Sequence, residues 1–225
     1  NYNSFPYAKN CKFIEINLDE NEYIFIPRYW MHWVFTEPYN LSINYFFLSD
    51  DIISNNSLLM NNIKKNEPFK NKINDKINFS FKDFLKENLD KKFYINFNNN
   101  CHIVPVKKPN IYNDSFIKFI SIRDSLEKKY KHYYKYIGQN NINEPYLSNI
   151  ENFIKDIKNN ISTYESFIWI NFDKDINSGL HYDDKHNILI NLIGKKKILL
   201  GNHIYIKYMY LLYFQILIVL MKQFY

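Results

Sequence analysis

Cysteine and glycine are nearly missing from this chain of 225 residues, which holds 2 of the first and 4 of the second. Cys11 and Cys101 stand in no CxxC or Cys/His spacing. That argues against a disulfide scaffold and a structural zinc site and fits a reducing, intracellular compartment. So few glycines leave no glycine-rich loop to cradle a phosphate, and no segment repeats another. No secretory signal opens the chain, and its first residue is Asn, as in an excerpt from a longer polypeptide. The apolar run from Tyr208 to Met221, broken by Gln215, falls short of the ~20 residues a membrane helix needs. No membrane partner is expected.

What is present is a large apolar and aromatic supply, 46% and 19% of residues, enough to bury a sizeable core. The net charge of +6 could attract an anionic partner, but the lysines are scattered, as on a solvated surface. The basic, aromatic stretch Lys128 to Tyr136 could bind nucleic acid by charge and stacking. The preferred reading is plainer, a helix end running into a strand whose tyrosines face a core.

Residues 12 to 48 read as a meander of short strands: Phe13 to Leu18, Tyr23 to Ile26, Val34-Phe35 and Leu41 to Phe47, separated by polar breaks. Residues 49 to 74, rich in Ser, Asn and Lys, read as a mobile linker. Phe81, Phe84, Leu85 and Leu89 give a short amphipathic helix capped by Asn78 or Ser80. A strand pair, Phe93 to Phe97 and His102 to Val106, is expected next. Phe116, Phe119, Ile120 and Ile122 suit a helix toward Leu126, and Ile150, Phe153, Ile154 and Ile157 a second one opened by Pro145. Phe167 to Phe172 is then a strand, and the segment from Ser178 runs as two more.

That last segment carries the chemistry. In Ser178-Gly179-Leu180-His181-Tyr182-Asp183, an imidazole and a carboxylate two residues apart on an extended backbone share one face. Two His and one carboxylate on one side of an ion, with other positions open, form the facial triad of non-haem Fe(II) oxygenases. His32, in Pro27-Arg28-Tyr29-Trp30-Met31-His32, is the candidate third ligand. One His among aromatics is, taken alone, more often a packed core residue.

The pattern resembles the Jumonji-C, cupin-like family of oxygenases that use Fe(II) and 2-oxoglutarate, and most of all its asparaginyl hydroxylase branch. In that family (Ser/Thr)-x-x-His-x-Asp leads into Asn-x-x-x-x-x-x-Gly-x-Lys, a spacing kept here from Ser178 to Lys196. The likeness implies His181 and Asp183 as iron ligands, and Lys196 as the partner of the distal carboxylate of 2-oxoglutarate, helped by Ser178 and Asn187. Tyr136 resembles an upstream tyrosine that touches the cosubstrate. Ile26-Pro27-Arg28-Tyr29-Trp30-Met31-His32 resembles the family's Ile-Pro-x-x-Trp-x-His turn, whose His is the third ligand, and Asn44 falls where the family has an Asn near the cosubstrate.

The implied fold is mainly β with flanking helices (α+β), a cupin-like double-stranded β-helix or jelly roll, incomplete or permuted. The implied activity is hydroxylation of a protein side chain, or demethylation through hydroxylation. The segments stand in reversed order, since the family places the His-x-Asp strand before the Trp-x-His turn. Three readings follow: tandem modules, a circular permutant, or a gene remnant. In module terms, residues 1–48 read as a C-terminal portion, 49–74 as a linker, 75–200 as an N-terminal and His-x-Asp portion, and 201–225 as a divergent apolar tail. A catalytically incomplete binding or structural module is the competing class. The distance from His32 to His181 and Asp183 separates the two.

Overall fold

A computed structural model describes residues 11–54, 57–74, 80–98, 117–128, 134–141, 151–172, 174–202 and 204. Among these residues the strands form two antiparallel sheets, a 4-stranded one in the order β1-β12-β3-β10 and an 8-stranded one in the order β5-β2-β11-β4-β9-β8-β6-β7. The larger sheet draws on β2 (Glu22–Ile26), β4 (Asn40–Phe47), β5 (Phe69–Lys72), β6 (Lys92–Asn98), β7 (Ile117–Ser121), β8 (Tyr134–Asn141), β9 (Glu165–Asn171) and β11 (His186–Ile193). The smaller one draws on β1 (Phe13–Leu18), β3 (Met31–Thr36), β10 (Ile176–His181) and β12 (Lys196–Gly201). Strands from the two ends of the chain alternate in both sheets: β3 lies between β12 and β10, and β4 between β11 and β9. This is a jelly-roll, cupin-like sandwich, as the strand pattern and the family likeness imply.

The period of 2 sorts each strand between two cores. Along β11, Ile188, Ile190 and Leu192 join the larger cluster, with Phe25, Ile43 and Phe47, on the outer face of the 8-stranded sheet. The helices α1 (Leu58–Ile63), α2 (Phe81–Asn88) and α4 (Glu151–Asn160) supply Leu59, Met60, Phe84, Ile154 and Ile157 to the same cluster. Leu189 turns the other way and packs between the sheets with Leu18, Ile24, Ile26, Ile198 and Leu200. Asn187 and Asn191 share that inner face with Leu189. Covered on both sides, β11 is buried throughout.

The helix at Phe81 is capped by Ser80, whose side chain accepts from Asp83 N in a reciprocal capping box. Residues 49–74, read above as a linker, contain α1, capped by Ser57, and β5, which pairs with β2. The helix expected from Phe116 toward Leu126 is instead the strand β7 followed by the single turn α3 (Ile122–Ser125). Its apolar spacing fits either period over so few residues, and the partner decides: β6 takes Phe93↔Ile120 and Ile95↔Lys118, and Phe119 stacks on Tyr94 at 4.8 Å. The expected strand His102 to Val106 and the tail beyond 204 lie outside the described residues. Among those described, no helix is long and apolar enough to cross a membrane.

Gly138 in β8 shows how tightly the strands close. A Cβ there would lie 2.7 Å from Trp169 Cζ3 and 2.9 Å from Cε3. Gly138→Ala is expected to destabilise the protein by about 1–3 kcal/mol, the usual effect of overpacking, read as a lowered urea midpoint.

Candidate metal centre

His32 is the second residue of β3 and His181 the last of β10. An irregularity makes them face each other. Between Asn177↔Phe35 and Leu180↔Trp33 the register slips by one residue, so His181 lies opposite His32 rather than Met31. Gly179 sits in that bulge at φ 71°, a left-handed backbone that glycine adopts without a Cβ penalty. Three bonds fasten it. Trp33 Nε1 donates to Asn177 Oδ1 at 2.8 Å, Gly179 N to the same oxygen at 3.0 Å, and Val34 N to Ser178 Oγ at 3.1 Å. Asp183 follows in the β10–β11 loop. Its carbonyl accepts from Tyr29 N at 2.8 Å, which ties it to the turn 27–30.

His32 Nε2 lies 3.4 Å from Asp183 Oδ2, and the two imidazole centroids are 4.1 Å apart. Ligand atoms of His32, His181 and Asp183 all fall within 4.8 Å of one another. Two atoms held roughly 2.1 Å from one ion at a right angle stand about 3 Å apart, so the cluster is close to coordinating geometry. Both imidazoles are oriented alike: Nδ1 of His32 is 3.0 Å from Trp30 O, and Nδ1 of His181 is 3.0 Å from Gly179 O. A carbonyl can only accept, so each Nδ1 carries a proton and each ring turns its Nε2 edge toward the cluster. His32 Nε2 and the Asp183 carboxylate thus face each other across a gap in which a proton or a metal cation can sit. Burial, reinforced by His32 and opposed by Asp183, pushes the pKa of His181 down to about 4. The imidazole is therefore neutral, as a metal ligand must be, at ordinary pH.

At the far end of β3 a second polar group is buried. Lys196 pairs across from Thr36, and its Nζ donates to Thr36 Oγ1 at 3.0 Å. Among the described residues no carboxylate reaches this ammonium, and burial lowers its pKa to about 7. His32 and Thr36 are four residues apart on one strand, roughly 13 Å. Asn44 and Asn187 come together on the inner wall, Nδ2 of the first donating to Oδ1 of the second at 2.8 Å. Tyr136 is buried with its ring 5.8 Å from that of Trp169, and burial raises its phenol pKa strongly. Ser178 is engaged locally: besides accepting from Val34 N, its hydroxyl donates to Gly179 O at 2.9 Å.

Further residues escape sequence reasoning. On the neighbouring strands β4 and β9, Asn40 Oδ1, Ser42 Oγ, Trp169 Nε1 and Asn171 Oδ1, together with Oδ1 of the Asn44 already expected from the sequence, are buried polar atoms without a hydrogen-bond partner among the described residues. Pairing of Asn40 with Asn171 and of Ser42 with Trp169 puts them on one inner stripe. Such a concentration calls for a polar occupant. The alternation Asn40-x-Ser42-x-Asn44 on an otherwise apolar strand was its one visible signal.

His186 was missed as well. It is buried against Phe25 and Phe47, with ring centroids 5.5 and 5.4 Å away, and burial, then Arg28, lowers its pKa to about 4. His181 and His186 both titrate below the ordinary 6.5 of an unfolded histidine, so the unfolded chain takes up protons first as pH falls. Their stabilisation is complete above about pH 6.5 and fades toward pH 4. The expected result is a metal-free urea midpoint that drops across this window, with part of the drop absent in His186→Gln.

A jelly roll that aims two imidazoles and a carboxylate at one point has the architecture of the cupin-like metal proteins. Two relatives point the same way. The chain is 42% identical over 59 residues to the JmjC domain-containing protein C of Dictyostelium discoideum, a match covering 25% of this chain and 14% of that protein. It is 27% identical over 218 residues to a JmjC domain-containing protein of Acanthamoeba polyphaga mimivirus, covering 86% of this chain and 34% of the relative. The chain thus spans about a third or less of the length of these relatives, which support a JmjC relationship and no particular hydroxylase. No protein-family model matches the chain, and no solved structure matches it significantly.

Proposed function

We propose that the chain is an Fe(II)- and 2-oxoglutarate-dependent oxygenase of the JmjC, cupin-like kind, one that hydroxylates a protein side chain or demethylates it through hydroxylation. The observation that carries this reading is the meeting of His32, His181 and Asp183 within 4.8 Å inside one jelly roll. A two-imidazole, one-carboxylate set suits Fe(II). Iron and 2-oxoglutarate, when bound with O2, would supply the oxidising power for attack on a C–H bond.

The chain's own residues have distinct tasks in this reading. The carbonyls of Trp30 and Gly179 hold the imidazoles with Nε2 presented. Lys196, buried and without a carboxylate partner among the described residues, would hold the distal carboxylate of 2-oxoglutarate. Asn44, Asn187, Tyr136 and the stripe through Ser42 and Trp169 would supply the polar wall between them. Tyr29 and Tyr182, edge to face at 6.1 Å, flank the Asp183 loop where a substrate side chain would enter.

The reversed order of segments fits a circular permutant best. Strands from both sides of residues 49–74 alternate in each sheet, and His32 reaches Asp183 within the one chain. A shell lacking its third ligand does not account for that contact. The test is succinate release from 2-oxoglutarate with Fe(II) and ascorbate. Release is expected from the wild type and none from His181→Ala, and release that survives the substitution sinks the assignment.

A further inference from the structure

On the outer side of the 8-stranded sheet, next to the metal centre, a cavity of about 310 Å³ opens among Arg28, Ser49, Lys64, Asn66 and His186. Ile52 and Ile63 also line it, and among the described residues no Asp or Glu does. The hydrogen-bonding logic of this wall is one-sided. His186 Nδ1 accepts from Arg28 N at 3.2 Å, and a backbone N–H can only donate. The proton of the neutral imidazole is therefore on Nε2, which donates to Ser49 Oγ at 2.8 Å. With its oxygen accepting there, the Ser49 O–H is left to donate elsewhere.

Arg28 adds a cation to this wall. Its Nη2 donates to the Tyr29 hydroxyl, and its guanidinium carbon lies 4.4 Å over the Tyr29 ring, which fixes the plane of the group. Nε is buried and has no partner among the described residues. Lys64, exposed at the end of α1, brings another cation to the same cavity. Asp51, close by in sequence, turns its carboxylate to Leu48 N at 2.7 Å and so supplies its own turn.

We propose that this cavity is an oxyanion site that takes a phosphate or carboxylate group, gripped by Arg28, Ser49 and Lys64. An oxyanion offers acceptors only, and the described lining of the cavity offers cations and hydroxyl or N–H donors with no competing acid. The site does not depend on the oxygenase reading. It shares with the metal centre only the turn 27–30, in which Arg28 contacts His186 and Tyr29 contacts Asp183. An anion held by Arg28 thus touches the element that braces the Asp183 loop.

The test titrates the protein with inorganic phosphate and, separately, with acetate, following the backbone amides of Ser49 and Asn66 by NMR; the two arms tell which oxyanion the site prefers. Arg28→Met, which keeps the stem over Tyr29, is expected to weaken binding at least about tenfold, and Ser49→Ala about threefold. Arg28→Lys should fall between wild type and Arg28→Met, and serves if the Met variant does not fold. Lys65→Gln, on an exposed side chain bonded to Asn62, should bind as wild type does. Binding that is absent in the wild type, indifferent to Arg28 and Ser49, or abolished by Lys196→Met overturns the proposal.

Discussion

Asp183→Ala is expected to weaken Fe(II) binding by more than about 100-fold and to abolish 2-oxoglutarate turnover. Altering a partner that merely orients a ligand already costs about 10- to 100-fold in affinity, and here a ligand itself is removed. The stability of the metal-free protein should move little. Asp183 Oδ2 lies 3.4 Å from His32 Nε2, longer than an ordinary hydrogen bond, and the carboxylate is partly exposed, so without metal its loss removes only a weak contact. The two readouts therefore diverge. In the wild type, anaerobic Fe(II) at 100 times its dissociation constant should add about 2.7 kcal/mol of stability by mass action, while the variant should gain none. A merely structural Asp183 would give the opposite pattern, lower stability without metal and an unchanged response to it. Equal stabilisation of both proteins by Fe(II) would rule out Asp183 as a ligand.

The site was legible because its residues belong to a short run with period-2 logic: His181 and Asp183 sit on an extended segment, and His32 follows a proline turn. Their convergence was not legible. It depends on β3 and β10 pairing across 149 residues and on a one-residue slip at Gly179 that sets His181 opposite His32, and no local pattern encodes such a partner. Strands β1, β2 and β4 could be read from alternation between polar breaks, and α2 from its cap at Ser80. At 116–122 both periods fitted so few residues that pairing with β6 decided for a strand. Thr36, Ser42 and Trp169 carry no motif; they matter because the register stacks them on the inner face beside Lys196 and Asn44.

Lys196→Met should raise the stability of the ligand-free protein and, in the same molecule, remove the stabilisation by 2-oxoglutarate. The ammonium is 3% exposed, bonds only to the Thr36 hydroxyl among the described residues, and has its pKa lowered by burial to about 7. A buried cation without a counter-charge is a liability, and replacing buried charge by an apolar side chain of similar length is neutral to stabilising by roughly 1–4 kcal/mol. The sign of the pH dependence follows. The unfolded lysine keeps its proton up to about pH 10.5 while the folded one releases it near 7, so wild-type stability should rise with pH across that interval. The Met variant should show no such rise. A dicarboxylate bound at Lys196 would restore the charge and raise its pKa, so saturating 2-oxoglutarate should flatten the wild-type curve as well. Urea midpoints between pH 7 and 10, with and without 2-oxoglutarate, separate the cases. A lysine that serves only to support Thr36 would lose stability on replacement by Met, and the ligand would leave the slope of the curve unchanged.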